Sequence, residues 1–337
     1  MDSMIILLAG GLALFLFAIH QLSALLENVF LEQTKLIIQK YTRNIFSALA
    51  IGIIATVLLD SSSAVIIILI IFINARILNF RQAIGIILGA NIGTTISSQL
   101  IAFEISKYSV FALLTGLVIM IFSKNEKIKK YAEIVFYFGM LFFGLYVMEN
   151  SMMPLKDSQL FSDWILRIAN HPVEGALTGG LMTLIIQSSS ATVGLAIILA
   201  KQDLISMAAG VSIMLGAELG TCSDTLLATI KGTRQALKAG LFHLIFNLFT
   251  IILGLAFFYP FIMLVEWVFA GSAIHQQIAN AHLIFNLLGV VIVLPFIGLA
   301  ERFLNFILPE KTTRLKDTNV ILNNSKNKIN PITSNQN

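Results

Sequence analysis

Runs of about 20 apolar residues, the length a helix needs to cross a lipid core of about 30 Å, recur along most of this chain. Within lipid every backbone polar group must find its partner internally, so such runs can only be helices or strands of a closed barrel. The strict alternation of barrel strands is absent, which leaves helices. Composition agrees, with 57% hydrophobic residues, 12% charged residues and a mean hydropathy of +0.87. These values remove the soluble globular class and make the lipid bilayer the first expected partner. No Lys or Arg precedes Met4 to Leu26, and no small-residue cleavage site follows it. It is expected to be the first membrane helix and not a signal peptide.

Two classes of chemistry fall away early. The lone cysteine, Cys222, supports neither a disulfide framework nor a thiolate metal cluster. The net charge of +4 comes from basic residues in loops and tail, so it bears on orientation in the membrane and implies no nucleic acid.

A polar stretch, Glu27 to Asn44, precedes an apolar region, Ile45 to Ile73, that LLDSSSAV interrupts. Helices are expected near Ala83 to Phe103, Tyr108 to Phe122 and Ala132 to Met148. A polar, Pro-containing stretch, Glu149 to Pro172, then separates two halves. The second half opens with an apolar region, Val173 to Ala200, broken by IIQSSSAT. Helices follow near Leu204 to Ile230, Ala239 to Phe258 and Ile278 to Ile297. Beyond Pro309 the chain is rich in Asn, Lys, Ser and Thr, the composition of a disordered tail.

The halves resemble one another at a single spacing. Ser61-Ser62-Ser63 and Ser188-Ser189-Ser190 lie 127 positions apart, and so do LGANIGTT from Leu88 and LGAELGTC from Leu215. Gly52 with Gly179 and Thr56 with Thr183 keep the same offset. Two separate motifs in one ungapped register imply a duplicated unit. The expected division is repeat 1 over residues 1–123, repeat 2 over 124–258, an extra C-terminal membrane helix over 259–300, and a basic cytoplasmic tail over 301–337.

Basic residues favour cytoplasmic loops, so orientation can be counted. If each serine region is a re-entrant hairpin and the N-terminus lies outside, eighteen Lys and Arg face the cytoplasm and four face out. The inner set includes Lys35, Lys40, Arg43, Lys231 and the basic residues of the tail. If each region instead crosses once, the division is fifteen and seven. Hairpins fit better, and they place the two halves in opposite orientations with a shared site near the midplane. The expected fold is therefore all-α: a polytopic membrane protein with two inverted-topology repeats, each with a re-entrant helical hairpin and a discontinuous helix.

Three consecutive serines inside an apolar span call for an explanation, because unpaired hydroxyls in hydrocarbon cost free energy and serine tends to bond local backbone. A chain reversal supplies one. Freed N–H groups at the start of the outgoing helix attract anions, and hydroxyls and carbonyls offer oxygen ligands to cations. Close packing of small residues is the plainer reading of a single triplet, though not of two in register. In Gly89 to Thr95 and Gly216 to Cys222, paired glycines suggest an unwound helix facing the hairpin, with a glycine packing face as the alternative.

Acids within membrane spans are functional candidates, since a carboxylate near the bilayer centre costs about 2.5–3.5 kcal/mol. Asp60 and Glu218 are two, with Asp224 a third. Gln187 and Asn91 hold the positions matching Asp60 and Glu218. No Lys or Arg lies in these motifs, so sodium ions, protons or helix ends must balance the charge. The expected sodium ligands are Asp60, Glu218, Ser62, Ser189 and Thr95. HLIFN occurs at His243 to Asn247 and again at His282 to Asn286, with His and Asn one helical turn apart. These are more readily interhelical hydrogen-bond pairs than ligands, and His20 is a weaker candidate still.

The duplicated SSS, the duplicated LGA-x-x-GT and HLIFN together resemble the sodium/phosphate cotransporter family, over roughly Ala13 to Phe296. The resemblance implies sodium-coupled uptake of inorganic phosphate by alternating access, with both serine turns forming the site and no organic cofactor. Carried onto this chain, the substrate site is Ser61, Ser62, Ser63, Gln187, Ser188, Ser189 and Ser190, with Asn91 and Thr94 opposite Thr221. Asp60 stands where the family has Gln, and Glu218 where it has Asn. Each adds negative charge beside an anion site, which a cation or proton must screen. A plasma (inner) membrane location follows, with the C-terminus cytoplasmic and room for a homo-oligomer. Coupling to protons, another small ion as cargo, and an intramembrane serine hydrolase are the alternatives. A hydrolase needs its nucleophile once, and no histidine is duplicated in register with the serines.

Overall fold

The structure is a computed structural model that describes residues 2–42, 44–103, 105–230 and 232–309, with the side chains of residue 2 and of residues 26–41 left out. The expectations for Arg43, Lys231, the side chains of Lys35 and Lys40, and the tail past Pro309 lie outside the described residues. Among those residues the secondary structure is helical. The first half holds α1 (Asp2–Tyr41), α2 (Ile45–Leu59), α3 (Ser62–Asn74), α4 (Phe80–Ala102) and α5 (Ser109–Phe122). The second holds α6 (Glu126–Ser151), α7 (Gln159–Asn170), α8 (Pro172–Ile186), α9 (Ser189–Lys201), α10 (Met207–Gly220), α11 (Cys222–Thr229) and α12 (Arg234–Ala256). Helices α13 (Phe258–Val268), α14 (Ile274–Val293) and α15 (Ile297–Ile307) complete it.

Among the described residues, five segments are long and apolar enough to cross a membrane: Ser3–Leu25, Phe80–Ala102, Glu126–Asp157, Arg234–Ala256 and Ile274–Ile307. Large apolar side chains such as Phe122, Ile185, Trp267 and Phe306 stand exposed on the outside. That is the surface a lipid-embedded bundle presents.

Local chemistry explains where the apolar runs break. Ser61 and Ser188 cap α3 and α9 by accepting from the Ala64 and Ala191 N–H, and Asn79 with Gln82 forms a capping box at the start of α4. Helix α2 then lies beside α4 in the same direction: Ala48 meets Gly85, Leu49 meets Gly89 and Thr56 meets Gly93. Helix α3, which links the end of α2 to the start of α4, must therefore run back. The second half repeats this, with Gly179 of α8 beside Ile213 and Thr183 beside Gly220. Each returning helix then crosses to the other half, α3 packing on α11 and α12, and α9 on α4.

The glycine motifs correct one expectation. Helix α4 runs unbroken through Gly89 to Thr95, and α10 is parted from α11 only by Thr221, itself right-handed at φ −63, ψ −22. No discontinuous helix forms in the first half, and the second has only this one-residue joint. A Cβ at Gly89 would lie 2.0 Å from the Leu49 carbonyl oxygen, and one at Gly216 would lie 1.7 Å from that of Ala176. The glycines let backbones touch. Keeping every helical hydrogen bond in an apolar interior outweighs glycine's propensity cost of about 1 kcal/mol.

Three smaller boundaries also move. Glu27 to Tyr41 continues α1 instead of forming a polar connection, Glu149 to Pro172 contains α7, and α13 precedes the last long helix. Helix α7 has apolar and polar faces at helical spacing, burying Ile165 and Ile168, which a reading of its polar content alone overlooks.

Candidate functional site

The two serine turns have one backbone. Asp60 ends α2 in the left-handed region at φ 47, ψ 29, and Gln187 ends α8 at φ 58, ψ 29. Ser61 and Ser188 follow in extended conformation, at φ −155, ψ 110 and φ −150, ψ 113. Arg76 and Asp203, again 127 apart, are the other non-glycine residues with positive φ among those described. Left-handed backbone at non-glycine positions carries strain of about 1–3 kcal/mol and persists only where surrounding structure holds it.

Both turns open on one cavity of about 620 Å³. Asp60, Ser61, Ser62, Ser63 and Thr94 line it from the first half, and Gln187, Ser188, Ser189, Ser190 and Thr221 from the second. Ser62, Ser63, Ser189, Ser190, Thr94 and Thr221 are otherwise buried. With each cap serine occupied by the third N–H of its helix, the N–H groups of Ser62, Ser63, Ser189 and Ser190 have no acceptor within their own helices. Two helix N-termini and a ring of hydroxyls thus face one volume, and among the described residues no Lys or Arg lines it. Such a site holds an anion by oriented dipoles and hydrogen bonds in place of full positive charges. The Ser63 Oγ donates to the Thr221 carbonyl at 3.4 Å, tying the first turn to the second half.

Asn91, Thr95 and Glu218, expected at the site, do not line this cavity. The Asn91 amide donates to the Ile87 carbonyl at 2.9 Å and the Thr95 hydroxyl to Ile92 at 2.7 Å, each within α4. Because α4 stays helical, these side chains fan around it instead of projecting from an unwound loop. Glu218 is buried in a different cluster, where its Oε1 meets His282 Nε2 at 2.5 Å and accepts from Asn286 Nδ2 at 3.2 Å. Ser98 Oγ lies 2.6 Å from His282 Nδ1. The other HLIFN behaves similarly, with His243 Nδ1 3.0 Å from Thr225 Oγ1 and Nε2 2.9 Å from Asn247. Ser98 and Thr225 are themselves 127 apart. Both HLIFN segments are interhelical hydrogen-bond pairs that lock α12 and α14 onto equivalent positions of the two halves.

Sequence reasoning undervalued three residues. His20 and Ser23 reach the cavity from α1, and Ser23 Oγ donates to the Leu59 carbonyl at 2.5 Å. Ser97 donates its hydroxyl to the Asp60 carboxylate. Only the offset from Ser97 to Asp224 could have drawn attention to it.

A body of apolar helices around a hydroxyl-lined cavity, closed by two matching turns, defines a polytopic membrane protein with a duplicated polar site. The chain belongs to the Na+/Pi-cotransporter family, whose profile matches residues 14–150 and 156–294. It is 28% identical over 275 residues to the Bacillus subtilis (strain 168) protein named "Uncharacterized protein YqeW", covering 80% of this chain and 87% of that one. It is 22% identical over 312 residues to the Salmonella typhimurium protein named "Putative inorganic phosphate export protein YjbB", covering 92% of this chain. The Escherichia coli (strain K12) protein of the same name matches at 22% over 314 residues. The chain spans 57% of the length of those two relatives. No solved structure matches it.

Proposed function

We propose that this protein is a secondary carrier that moves inorganic phosphate together with sodium, by alternating access around the cavity between the two serine turns. The observation that carries the proposal is the convergence of the α3 and α9 N-termini and both serine triplets on one volume that no Lys or Arg among the described residues lines. Phosphate, with oxygens that accept from every direction, suits a shell of N–H and O–H donors. Sodium would offset both its charge and that of Asp60. The membership in the Na+/Pi-cotransporter family and the phosphate in the names of two relatives support the cargo.

Inverted repeats with re-entrant hairpins supply the cycle in this proposal. Helices α2 and α3, with 15 and 13 residues, are about 22 and 20 Å long at 1.5 Å per residue, short of a bilayer core. In this proposal α4, the 17-residue apolar segment Ser106–Phe122 that contains α5, and α6 cross between the two turns while the amphipathic α7 lies along the surface, which puts the second hairpin on the opposite face. With the N-terminus outside, as the basic-residue count favours, the first hairpin enters from the cytoplasm and the second from outside a plasma (inner) membrane. Direction follows the gradients. The relatives' names speak of export for those proteins, and an inward sodium gradient would drive uptake through the same symport.

Proteoliposomes holding the full chain test this with radiolabelled phosphate under a sodium gradient, a proton gradient or neither, with arsenate and sulfate as competitors. Sodium-dependent phosphate flux inhibited by arsenate is the expected result. Flux indifferent to sodium would overturn the coupling, and no phosphate flux would overturn the cargo. The contacts among Ser98, His282 and Glu218 are buried and do not line the 620 Å³ cavity.

A further inference from the structure

Asp60 lines a second cavity besides the one between the serine turns, a volume of about 210 Å³ among α1, α2, α4 and α6. Apart from Asp60, Ser97 and Ser23 its lining is apolar. Ser23 donates to the Leu59 carbonyl and Ser97 to the Asp60 carboxylate, so both hydroxyls are already engaged. Among the described residues Asp60 is the only charged group on this cavity, no Lys, Arg or His lines it, and no salt bridge reaches Asp60.

The cavity has a buried floor and an exposed rim. Phe15 of α1, Ile101 of α4 and Phe142 of α6 are buried, whereas Val57, Ile96, Leu100 and Phe138 stand exposed among the apolar side chains of the outer surface. In a bundle embedded in lipid, an opening ringed by such side chains faces hydrocarbon and not water. On this side the Asp60 carboxylate therefore has one hydroxyl for a partner and no solvent, and a single hydrogen bond offsets little of the cost of holding a charge there. A cation arriving through the lipid would offset more. It must bring apolar bulk of its own, because the rest of the lining is aliphatic chains and the rings of Phe15, Phe138 and Phe142, which favour a second ring and a cation alike.

We propose that this cavity is a binding site for a protonated aryl-alkyl amine, which enters from the lipid, lays its ring against the phenylalanines and pairs its ammonium with Asp60. An apolar cavity of about 150 Å³ takes a benzene ring, so the larger volume here has room for a ring with a short alkyl chain. Asp60 also lines the 620 Å³ cavity, so an ammonium held on it stands at the edge of the volume between the serine turns. The bound amine is thus an inhibitor of any cycle that needs the Asp60 carboxylate. That inhibitory role rests on the transport function proposed above, and the binding does not.

Equilibrium binding of radiolabelled phenylbutylamine to the full chain in phosphatidylcholine nanodiscs tests the site apart from transport, in potassium buffer without sodium or phosphate and with uptake by empty nanodiscs subtracted. Wild type is expected to bind one amine per chain, saturably. Phenylbutanol, neutral and of the same length, should bind at least about tenfold more weakly, the difference between a charge-assisted and a neutral hydrogen bond. Asp60→Asn, close in shape and tolerant of left-handed backbone, should lower amine affinity by the same factor and leave phenylbutanol unchanged. Ile134→Trp, which adds bulk to the cavity from α6, should lose both ligands. Absence of saturable amine binding, equal affinity for amine and alcohol, or wild-type amine affinity in either variant at an unchanged melting temperature would overturn the site. Amine binding by a chain that moves no phosphate would leave the site standing and remove only its inhibitory role.

Discussion

The two serine turns are the same backbone carrying different side chains. Their left-handed residues, extended cap serines and parallel flanking helices superimpose in kind, and the glycine contacts between α2 and α4 recur between α8 and α10. Yet Asp60 answers to Gln187, Ser97 to Asp224, Asn91 to Glu218 and Val65 to Thr192. Duplication has therefore kept the positions that shape the cavity and changed the groups that decide what each half binds or bonds to. The lesson is that the shape rests on glycine contacts and capping serines, and charge can be redistributed around it without changing the turn.

Substitutions can break this comparison at graded cost. Gly216→Leu forces a side chain into the Ala176 carbonyl, 1.7 Å from where its Cβ would sit. It should abolish recovery of folded protein, measured as a monodisperse peak in detergent, and Gly89→Leu should do the same in the first half. Survival of either would show that the two helix pairs are not held by the same contact. Glu218→Leu comes next, since it leaves the His282 and Asn286 nitrogens without their buried acceptor, each at about 1–3 kcal/mol. Its melting temperature should fall well below that of Asn91→Leu, which removes a single bond within α4.

The site itself gives the third test. Ser189→Ala should lower initial transport at least about tenfold, or 1.4 kcal/mol, with melting temperature unchanged. Ser62→Ala should match it if the halves contribute equally. Unequal losses would identify the turn that holds the cargo more closely. The smallest effect concerns Thr56, whose buried hydroxyl has no partner, whereas Thr183 donates to Thr192 Oγ1 at 2.9 Å. Val65→Thr supplies the missing partner and should stabilise the chain by about 0.5–1.5 kcal/mol, read as a small rise in melting temperature.

Much of the architecture was legible in the sequence because its signals are local or periodic. Apolar run length set the solvent, the serine triplets marked the breaks, and a constant offset tied one half to the other. The glycine motifs misled, since glycine serves equally to unwind a helix and to let another approach, and only a neighbour's position distinguishes the two. Asn91 was expected at the site from the family resemblance, and Glu218 and Thr95 as sodium ligands, and a continuous α4 carries Asn91 and Thr95 back onto its own carbonyls. Glu218 is drawn instead to His282, 64 positions away, a pairing that no spacing rule predicts.

By itself, then, the sequence determined a lipid-embedded helical chain, its duplicated plan and the serine breaks, all consequences of hydrophobicity and capping that act over a few turns. Tertiary structure alone decided which side chains line the cavity between the turns, that Ser97 attends Asp60, and which partners each histidine bonds. Those outcomes depend on which helix faces which, and that is settled by packing between segments from 18 to 184 residues apart, where local preference carries no information.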